Sequence, residues 1–176
     1  MMSDRGINIV DFDKRMRDLR QIQVLHEMFG NAAYKAMEKY YTGIGYETGV
    51  ERLVKLIEES SFSERQFRAN PVKGIEDFLL EYFQDRGGNL PKIWSEGNTV
   101  FLMTEASVDC VTVRAEKDVG IRHRDICNVY CRAEAKGLIK IFEDFFPELS
   151  IQYYNASSRR TKKGNDCVEA FQVIAP

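Results

Sequence analysis

The sequence predicts an α+β fold, in which N-terminal helices and a long C-terminal helix pack on one antiparallel sheet. Apolar residues recur at helical spacing through the first half of the chain, and two hairpin-like pairs of strand segments follow, separated by a long helical stretch. Helices and strands in separate runs are typical of α+β proteins. With no repeat and no linker, we predict a single domain over 1–176, helical at 10–87 and sheet-plus-helix at 90–176.

The first helices are predicted from apolar residues three or four positions apart. One stripe precedes Gly30, a second runs from there to Ile44, and a third covers positions 50–57. The segment SSFSERQFRANP interrupts the pattern, and Pro71 can then occupy the first turn of the next helix. We expect the pair at 87–88, two glycines, to end that helix.

The second half is predicted to contain the sheet. KIW and TVFLMT flank the turn SEGN, while LSIQYYN and CVEAFQVI flank TKKGND. In the last strand Cys167, Phe171 and Val173 share one face at a period of two. SVDCVTV is also predicted to be extended. Between the two pairs, the pattern predicts one continuous helix from about Ile126 to Phe146.

Composition argues against several classes of function. The formal net charge is −2, so no strong field favours nucleic acid or an anionic membrane. The basic residues at 159–163 fall beside the predicted turn TKKGND and are interpreted as a solvated hairpin tip. There is no apolar stretch long enough for a membrane span and no signal-peptide layout. We therefore expect a cytoplasmic protein, whose four cysteines are reduced thiols or metal ligands.

Three glycines, Gly43, Gly45 and Gly49, do not form a phosphate-binding loop. They do not follow a strand, and no Gly-Lys-Ser/Thr closes them, so we expect no nucleotide. Small residues four apart on a helix instead permit close helix packing, which would be a dimer contact if it occurred between chains.

The segment HRDICNVYC, residues 123–131, carries the most suggestive chemistry. His123, Cys127 and Cys131 are four apart and would stack on one helix face, although Asp125 as the N-cap would leave His123 outside. Thiolate and imidazole suit zinc or iron, and Cys167 would add a further ligand. The alternative is a core stripe, since free cysteine is often buried. That stripe continues through Ala135, Leu138, Phe142 and Phe146.

Aromatic side chains supply candidate ligand-binding residues, because small-molecule pockets have apolar walls with few polar groups. Arg132 and Arg114 would hold a ligand carboxylate in a bidentate fork. Core packing for the aromatics and solvent exposure for the arginines are the alternatives. The aromatic candidates are Trp94, Phe101, Tyr130 and Tyr153.

Several short motifs occur in order over most of residues 28–174. They are FGNAAYKAMEKYYTGIGYETGVERL, a cysteine that opens a helix with an internal glycine (Cys131 to Gly137), the strand LSIQYY, and a closing G-x-x-C-x-x-x-F-x-V. Together they resemble the 4-vinyl reductase domain, also called the hydrocarbon-binding domain. Cys110, Cys127, Cys131 and GNDCVEAF are also similar to the L-2-amino-thiazoline-4-carboxylic acid hydrolase family.

The resemblance implies a fold of the NO-signalling and trafficking ligand-binding type, with an apolar pocket between helices and sheet and a homodimer formed through the N-terminal helices. Some members hold zinc with cysteines and a glutamate. Cys131 and Cys167 are at plausible equivalent positions, but the intervening Glu-x-x-Cys is absent, so Cys127, His123 or Asp125 would substitute. No haem is expected, because NASSR at 155–159 lacks the tyrosine of the haem-binding motif.

Three functions are consistent with these observations. The first is a binding module for a small apolar or aromatic molecule. The second is a hydrolase of a small cyclic amide or amidine, which would use Cys127 or Cys131 as a thiolate, or a cysteine-bound metal that activates water. The third is an assembly subunit without a ligand. The sequence leaves open whether the protein is an enzyme.

Overall fold

The computed structural model describes residues 9–59, 62–84, 91–105, 111–120, 122–156 and 166–174. It confirms the α+β class. Within the described ranges the helices are α1 (Ile9–Phe29), α2 (Asn31–Glu58), α3 (Glu64–Ala69), α4 (Pro71–Gln84), α5 (Val111–Val119), α6 (His123–Val129) and α7 (Cys131–Phe145). The strands are β1 (Lys92–Glu96), β2 (Thr99–Glu105), β3 (Ser150–Asn155) and β4 (Asp166–Ile174).

The four strands form one antiparallel sheet in the order β1-β2-β4-β3. A tight turn at Gly97 and Asn98 joins β1 to β2, and the positive φ of Gly97, 60°, is a conformation that glycine adopts without strain. Both predicted strand pairs are confirmed. The predicted turn TKKGND lies outside the described residues, apart from Asp166 in β4.

Side chains alternate between two faces of the sheet, and α4 and α7 pack on one of them, here called the inner face. Val100 and Leu102 of β2 and Phe171 and Val173 of β4 point into the core beneath these helices. Phe142 of α7 completes this core and stacks on Phe67 of α3, with ring centroids 5.2 Å apart.

The α1–α2 hairpin joins the sheet layer through α7. Gly45 of α2 and Gly137 of α7 face each other's helix, and a Cβ atom on either would lie 2.1 Å from a backbone carbonyl oxygen, of Glu134 and Thr42 respectively. The two backbones can therefore approach this closely only because both residues lack side chains. The predicted close packing is confirmed at Gly45 and occurs within one chain, whereas nothing lies within 4 Å of a Cβ added at Gly43.

The structure corrects three local predictions. SSFSERQFRANP contains a short helix, α3, capped by the Ser63 side chain, which accepts a hydrogen bond from the Gln66 N–H at 3.4 Å. The prediction that SVDCVTV is extended is wrong for its last three residues, which open α5. The predicted N-cap at Asp125 is also wrong, because α6 begins at His123 with Arg122 as its N-cap.

The predicted continuous helix is broken in two. At Tyr130 the backbone leaves helical geometry, with φ −113° and ψ −84°, and separates α6 from α7. Tyr130 is anchored on α1 and α2, where its hydroxyl lies 3.4 Å from Asp18 Oδ2 and its ring packs edge-on against Tyr41. Long-range contacts of one side chain thus coincide with the break, which helical periodicity cannot indicate.

Candidate functional site

A cluster of polar side chains lies on the inner face of the sheet, where β3 and β4 meet α6 and α7. This inner-face cluster comprises Cys127 of α6, Arg132 of α7, Tyr153 and Asn155 of β3, and Cys167 and Glu169 of β4. Strand register explains the convergence from the sheet. Asn155 is directly opposite Glu169, Tyr153 is opposite Phe171, and Cys167 and Glu169 are two residues apart on one face.

Glu169 is the centre of the cluster, and its carboxylate accepts hydrogen bonds from three neutral donors. The Tyr153 hydroxyl donates to Oε2 at 2.7 Å, while the Asn155 amide and the Cys167 thiol each donate to Oε1 at 3.0 Å. The Glu169 side chain is only 12% exposed. Such charge-assisted hydrogen bonds compensate a buried carboxylate for the loss of water.

Arg132 supplies the positive charge of the cluster. Its Nη1 donates to Asn128 Oδ1 at 2.7 Å, and its Nε lies 3.7 Å from Glu169 Oε1, within ion-pair range but beyond a hydrogen bond. The Nε atom is buried and has no hydrogen-bond partner among the described residues. Burial acts to lower the pKa of Arg132, but Cys127, Glu169 and Tyr153 outweigh it, and the net pKa is raised.

Tyr153 stays a neutral phenol over a wide pH range. Its pKa is raised, mainly because the side chain is buried and also because the negative charge and the hydrogen bond of Glu169 disfavour a phenolate. Asn155 bridges the cluster, since its Nδ2 also donates to the Cys167 sulfur at 3.4 Å. The arrangement therefore holds a thiol, a carboxylate and a guanidinium in one partly dehydrated group.

The structure brings only some of the predicted site residues together. Cys127, Cys167, Arg132 and Tyr153 share the inner-face cluster, as described above. Trp94 and Phe101 lie on the opposite face of the sheet, where their rings stack at a centroid distance of 5.3 Å. The side chains of His123 and Arg114, together with Cys110, lie outside the described part of the structure.

Cys131 and Tyr130 belong to a second polar group, between α1 and α7. Arg15 lies 3.4 Å from both the Tyr130 hydroxyl and Glu134 Oε2, and Tyr82 donates to Glu134 Oε1 at 3.3 Å. Burial opposes the charge of Arg15, but Cys131, Tyr130 and Glu134 raise its pKa. Cys131 raises the pKa of Arg15 in this group, whereas Cys127 raises that of Arg132 in the inner-face cluster.

The predicted zinc site consists of Cys127, Cys131, Cys167 and His123. Within the described residues, no three His, Cys, Asp or Glu side chains come together as a metal-binding group. Cys131 interacts electrostatically with Arg15, Cys127 and Cys167 interact with Arg132, and the His123 side chain is not described. Zinc therefore stays a prediction of the sequence.

Glu169 and Asn155 are the cluster residues that sequence reasoning missed. A signal for Glu169 is present, because it lies between Cys167 and Phe171 on a strand face predicted to be buried. A charged residue at a buried position is almost always paired, and many such residues are functional. Asn155 gives no comparable signal, since it ends β3 and only the register places it opposite Glu169.

Two surface clefts lie elsewhere among the described residues. One, of about 330 Å³, is between α1 and α2, where Asp18, Leu25, Met37 and Tyr41 are among its walls. The other has a similar volume, about 330 Å³, and lies between α3 and α4. Neither cleft is lined by residues of the inner-face cluster, which carries the more reactive functional groups.

Comparison with known protein families and with curated proteins finds no match to this chain. The fold and the cluster define an α+β protein with a thiol, a carboxylate and a guanidinium on the inner face of its sheet. Among the described helices, none has the length and apolar character of a membrane span.

Proposed function

We propose that this chain is a small-molecule-binding protein of the 4-vinyl reductase type, and that its ligand binds at the inner-face cluster. The observation that carries the proposal is the Nε atom of Arg132, which is buried without a hydrogen-bond partner among the described residues. A buried donor without an acceptor is costly, so native structures rarely contain one without a reason. A hydrogen-bond acceptor on a ligand is such a reason.

The bonding of Glu169 supports this proposal. Its carboxylate already accepts from Tyr153, Asn155 and Cys167, and its Oε1 is 3.7 Å from Arg132 Nε. The acid therefore balances the charge of Arg132 without occupying this donor. An acceptor group of a ligand would bind there with the charge already compensated.

The surroundings of the cluster support an apolar or aromatic body for the ligand. The Tyr153 ring packs on Phe171 with centroids 5.5 Å apart, and Leu102 is the register neighbour of Glu169 in the adjacent strand. Apolar walls with a few fixed polar groups are typical of small-molecule sites. We expect a flat ligand that combines an aromatic or alkyl body with one acceptor group.

Melting temperatures test this proposal. The wild-type protein is heated with a panel of small aromatic compounds, supplied in pairs with and without an acceptor group. We expect at least one acceptor-bearing compound to raise the melting temperature, because a ligand stabilises the state that it binds. Arg132→Met should abolish that rise, and Arg65→Met, at an exposed position on α3, should retain it. A rise that survives Arg132→Met would contradict the proposed site.

The second candidate function is a thiol-dependent hydrolase of a small cyclic amide or amidine. It is favoured by the two thiols, Cys127 and Cys167, near the guanidinium of Arg132. Hydrolysis of a cyclic amidine is measured with Cys→Ser variants at 127, 131 and 167, while elemental analysis of the purified protein tests the zinc prediction. If every variant retains turnover and no metal copurifies, both the thiolate mechanism and the metal mechanism are excluded.

We also propose a cytoplasmic homodimer formed through the N-terminal helices. The thiol state of Cys127, Cys131 and Cys167 is consistent with a reducing compartment. Exposed apolar side chains on the α1–α2 hairpin support the dimer, since such patches often mark interfaces. On α1 and the first half of α2 they are Val24, Met28, Phe29 and Tyr40.

A further inference from the structure

We propose that Cys167 is a nucleophilic thiol and that Glu169 is the base that accepts its proton. The inference deepens the function proposed above, because it assigns reactivity to the same ligand site and predicts which ligands react there. It also selects a different nucleophile from Cys127 and Cys131, the two cysteines that the sequence favoured.

The thiol of Cys167 and the carboxylate of Glu169 are in direct contact. The Cys167 sulfur lies 3.0 Å from Glu169 Oε1, with the thiol as donor, so the proton can pass directly between them. A free thiol has a pKa of about 8.5 and a glutamic acid about 4.3, so transfer in isolation is unfavourable. Glu169 therefore acts as a base in step with bond formation at sulfur.

The neighbours of the pair hold both reacting groups in place. Asn155 Nδ2 donates to the Cys167 sulfur at 3.4 Å and to Glu169 Oε1 at 3.0 Å, while the Tyr153 hydroxyl fixes Oε2 at 2.7 Å. A nucleophile within reach of a base, with the base oriented by a third group, is the arrangement that activated nucleophiles share. The amide hydrogen bond to sulfur also favours the thiolate over the thiol.

Arg132 balances the charge of this pair throughout the proton transfer. A thiol with a carboxylate, and a thiolate with a carboxylic acid, both carry one negative charge. The Nε atom of Arg132, 3.7 Å from Glu169 Oε1, offsets that charge in either form. The transfer thus moves charge within the cluster without leaving an uncompensated charge in a partly dehydrated site.

Access and chemistry define the class of reacting ligand. Cys167 is only 4% exposed, whereas the side chain of Arg132, which interacts with it electrostatically, is 28% exposed, so a ligand would reach the cluster from the side of Arg132. A small ligand with an electrophilic carbon fits this geometry. A sulfur–carbon bond forms, the thiol proton moves to Glu169, and the electron pair of the broken bond leaves with the departing group or stays on the added heteroatom.

Cys131 offers an internal reference for this reactivity. It is more exposed than Cys167 and lies beside the cation Arg15, which also favours a thiolate. If exposure and a nearby cation alone controlled reactivity, Cys131 would react faster than Cys167. A buried thiol without a base is inert, whereas a thiol paired with Glu169 is not.

The experiment is alkylation of the native full-length chain with iodoacetamide, followed by peptide mass spectrometry that counts each cysteine separately. In this probe reaction sulfur displaces iodide and the proton passes to Glu169. We expect Cys167 to be modified faster than Cys131, by about tenfold or more if Glu169 acts as a general base. Equal rates, or slower modification of Cys167, would overturn the proposal without any variant being made.

Substitution of the base provides a second, independent test. Glu169→Gln should slow modification of Cys167 by about tenfold or more and leave the rate at Cys131 unchanged. Glu143→Gln is the matched control, because that carboxylate accepts the Ile151 N–H at 3.0 Å and is not part of the cluster. An unchanged rate at Cys167 in a folded Glu169→Gln protein would also overturn the assignment. Alkylation needs no bound ligand, so its result is independent of the melting-temperature test of ligand binding.

Discussion

Glu169 shows how one residue can organise a site within a strand. Its neighbours on the same face, Cys167 and Phe171, are buried, and its carboxylate is held by a phenol, an amide and a thiol. The sequence identified Cys167, Arg132 and Tyr153 individually, since their chemistry is visible in their residue types. It did not identify Glu169 as the partner that they share, because these contacts depend on strand register and on the position of α7.

Removal of the Tyr153 hydroxyl should destabilise the protein. Tyr153→Phe loses a 2.7 Å hydrogen bond to a carboxylate that is mostly buried, so we expect the free energy of unfolding to fall by about 1.5–3 kcal/mol. Urea denaturation measures the change. Tyr154→Phe is the control on the next residue, which is exposed on the other face of the sheet, and should change stability by less than about 0.5 kcal/mol. Equal effects of the two variants would contradict the described bonding.

The raised pKa of Tyr153 predicts a loss of stability at alkaline pH. Below about pH 10 the phenol is neutral in both folded and unfolded chains, so the buried hydroxyl contributes fully. Above that pH the unfolded chain releases the proton while the folded chain retains it, and stability falls as pH rises. Melting temperature from pH 8 to 11 should fall less steeply for Tyr153→Phe than for wild type; parallel curves would be inconsistent with this shift.

At the scale of elements, the contact of α2 with α7 and the break at Tyr130 together place the site. The glycine pair lets α7 approach α2, and Cys127 and Cys131, on either side of the break, interact electrostatically with different arginines. Periodicity predicted the N-terminal helices, α4 and the two strand pairs, and the spacing of small residues predicted the close packing found at Gly45. Periodicity could not predict the break, because Asp18 and Tyr41, which contact Tyr130, lie about ninety or more residues earlier in the chain.

Alanine substitutions at glycine should separate packing from helix propensity. A Cβ atom at position 137 would lie 2.1 Å from the Thr42 carbonyl oxygen, so Gly137→Ala should lower the free energy of unfolding by about 2 kcal/mol or more. The matched control is Gly43→Ala, also within a helix but with no atom within 4 Å of an added Cβ, and it should stabilise by up to about 1 kcal/mol. Thermal denaturation measures whether each variant loses or gains stability. A neutral Gly137→Ala would contradict the close approach of α2 and α7.

At the scale of the whole molecule, apolar side chains lie on two surfaces of the described structure. The α1–α2 hairpin exposes Met28 and Phe29, which are 66% and 61% exposed, and the outer face of the sheet carries the stacked rings of Trp94 and Phe101. The sequence predicts that these segments are rich in apolar residues. Which of those residues face solvent depends on how α7 and the sheet pack together, which the sequence does not show. We assign the helical surface to the proposed dimer.

The dimer proposal predicts an effect of charge at Phe29. Phe29→Glu places a carboxylate in the apolar contact, and a buried unpaired charge is strongly unfavourable, so the dimer should dissociate. Native mass spectrometry and sedimentation measure the change. Ile57→Glu is the control, an exposed apolar position at the other end of α2, and should leave the mass unchanged. A wild-type chain that is already monomeric would exclude the dimer.

A crystal structure of the protein with the compound that raises its melting temperature most would test the central claim most directly. The claim is that the inner-face cluster is the ligand site. We predict difference density beside Arg132 and Glu169, with an acceptor atom of the compound within hydrogen-bond distance of Arg132 Nε. Density in the cleft between α1 and α2, with the cluster unchanged, would contradict the account.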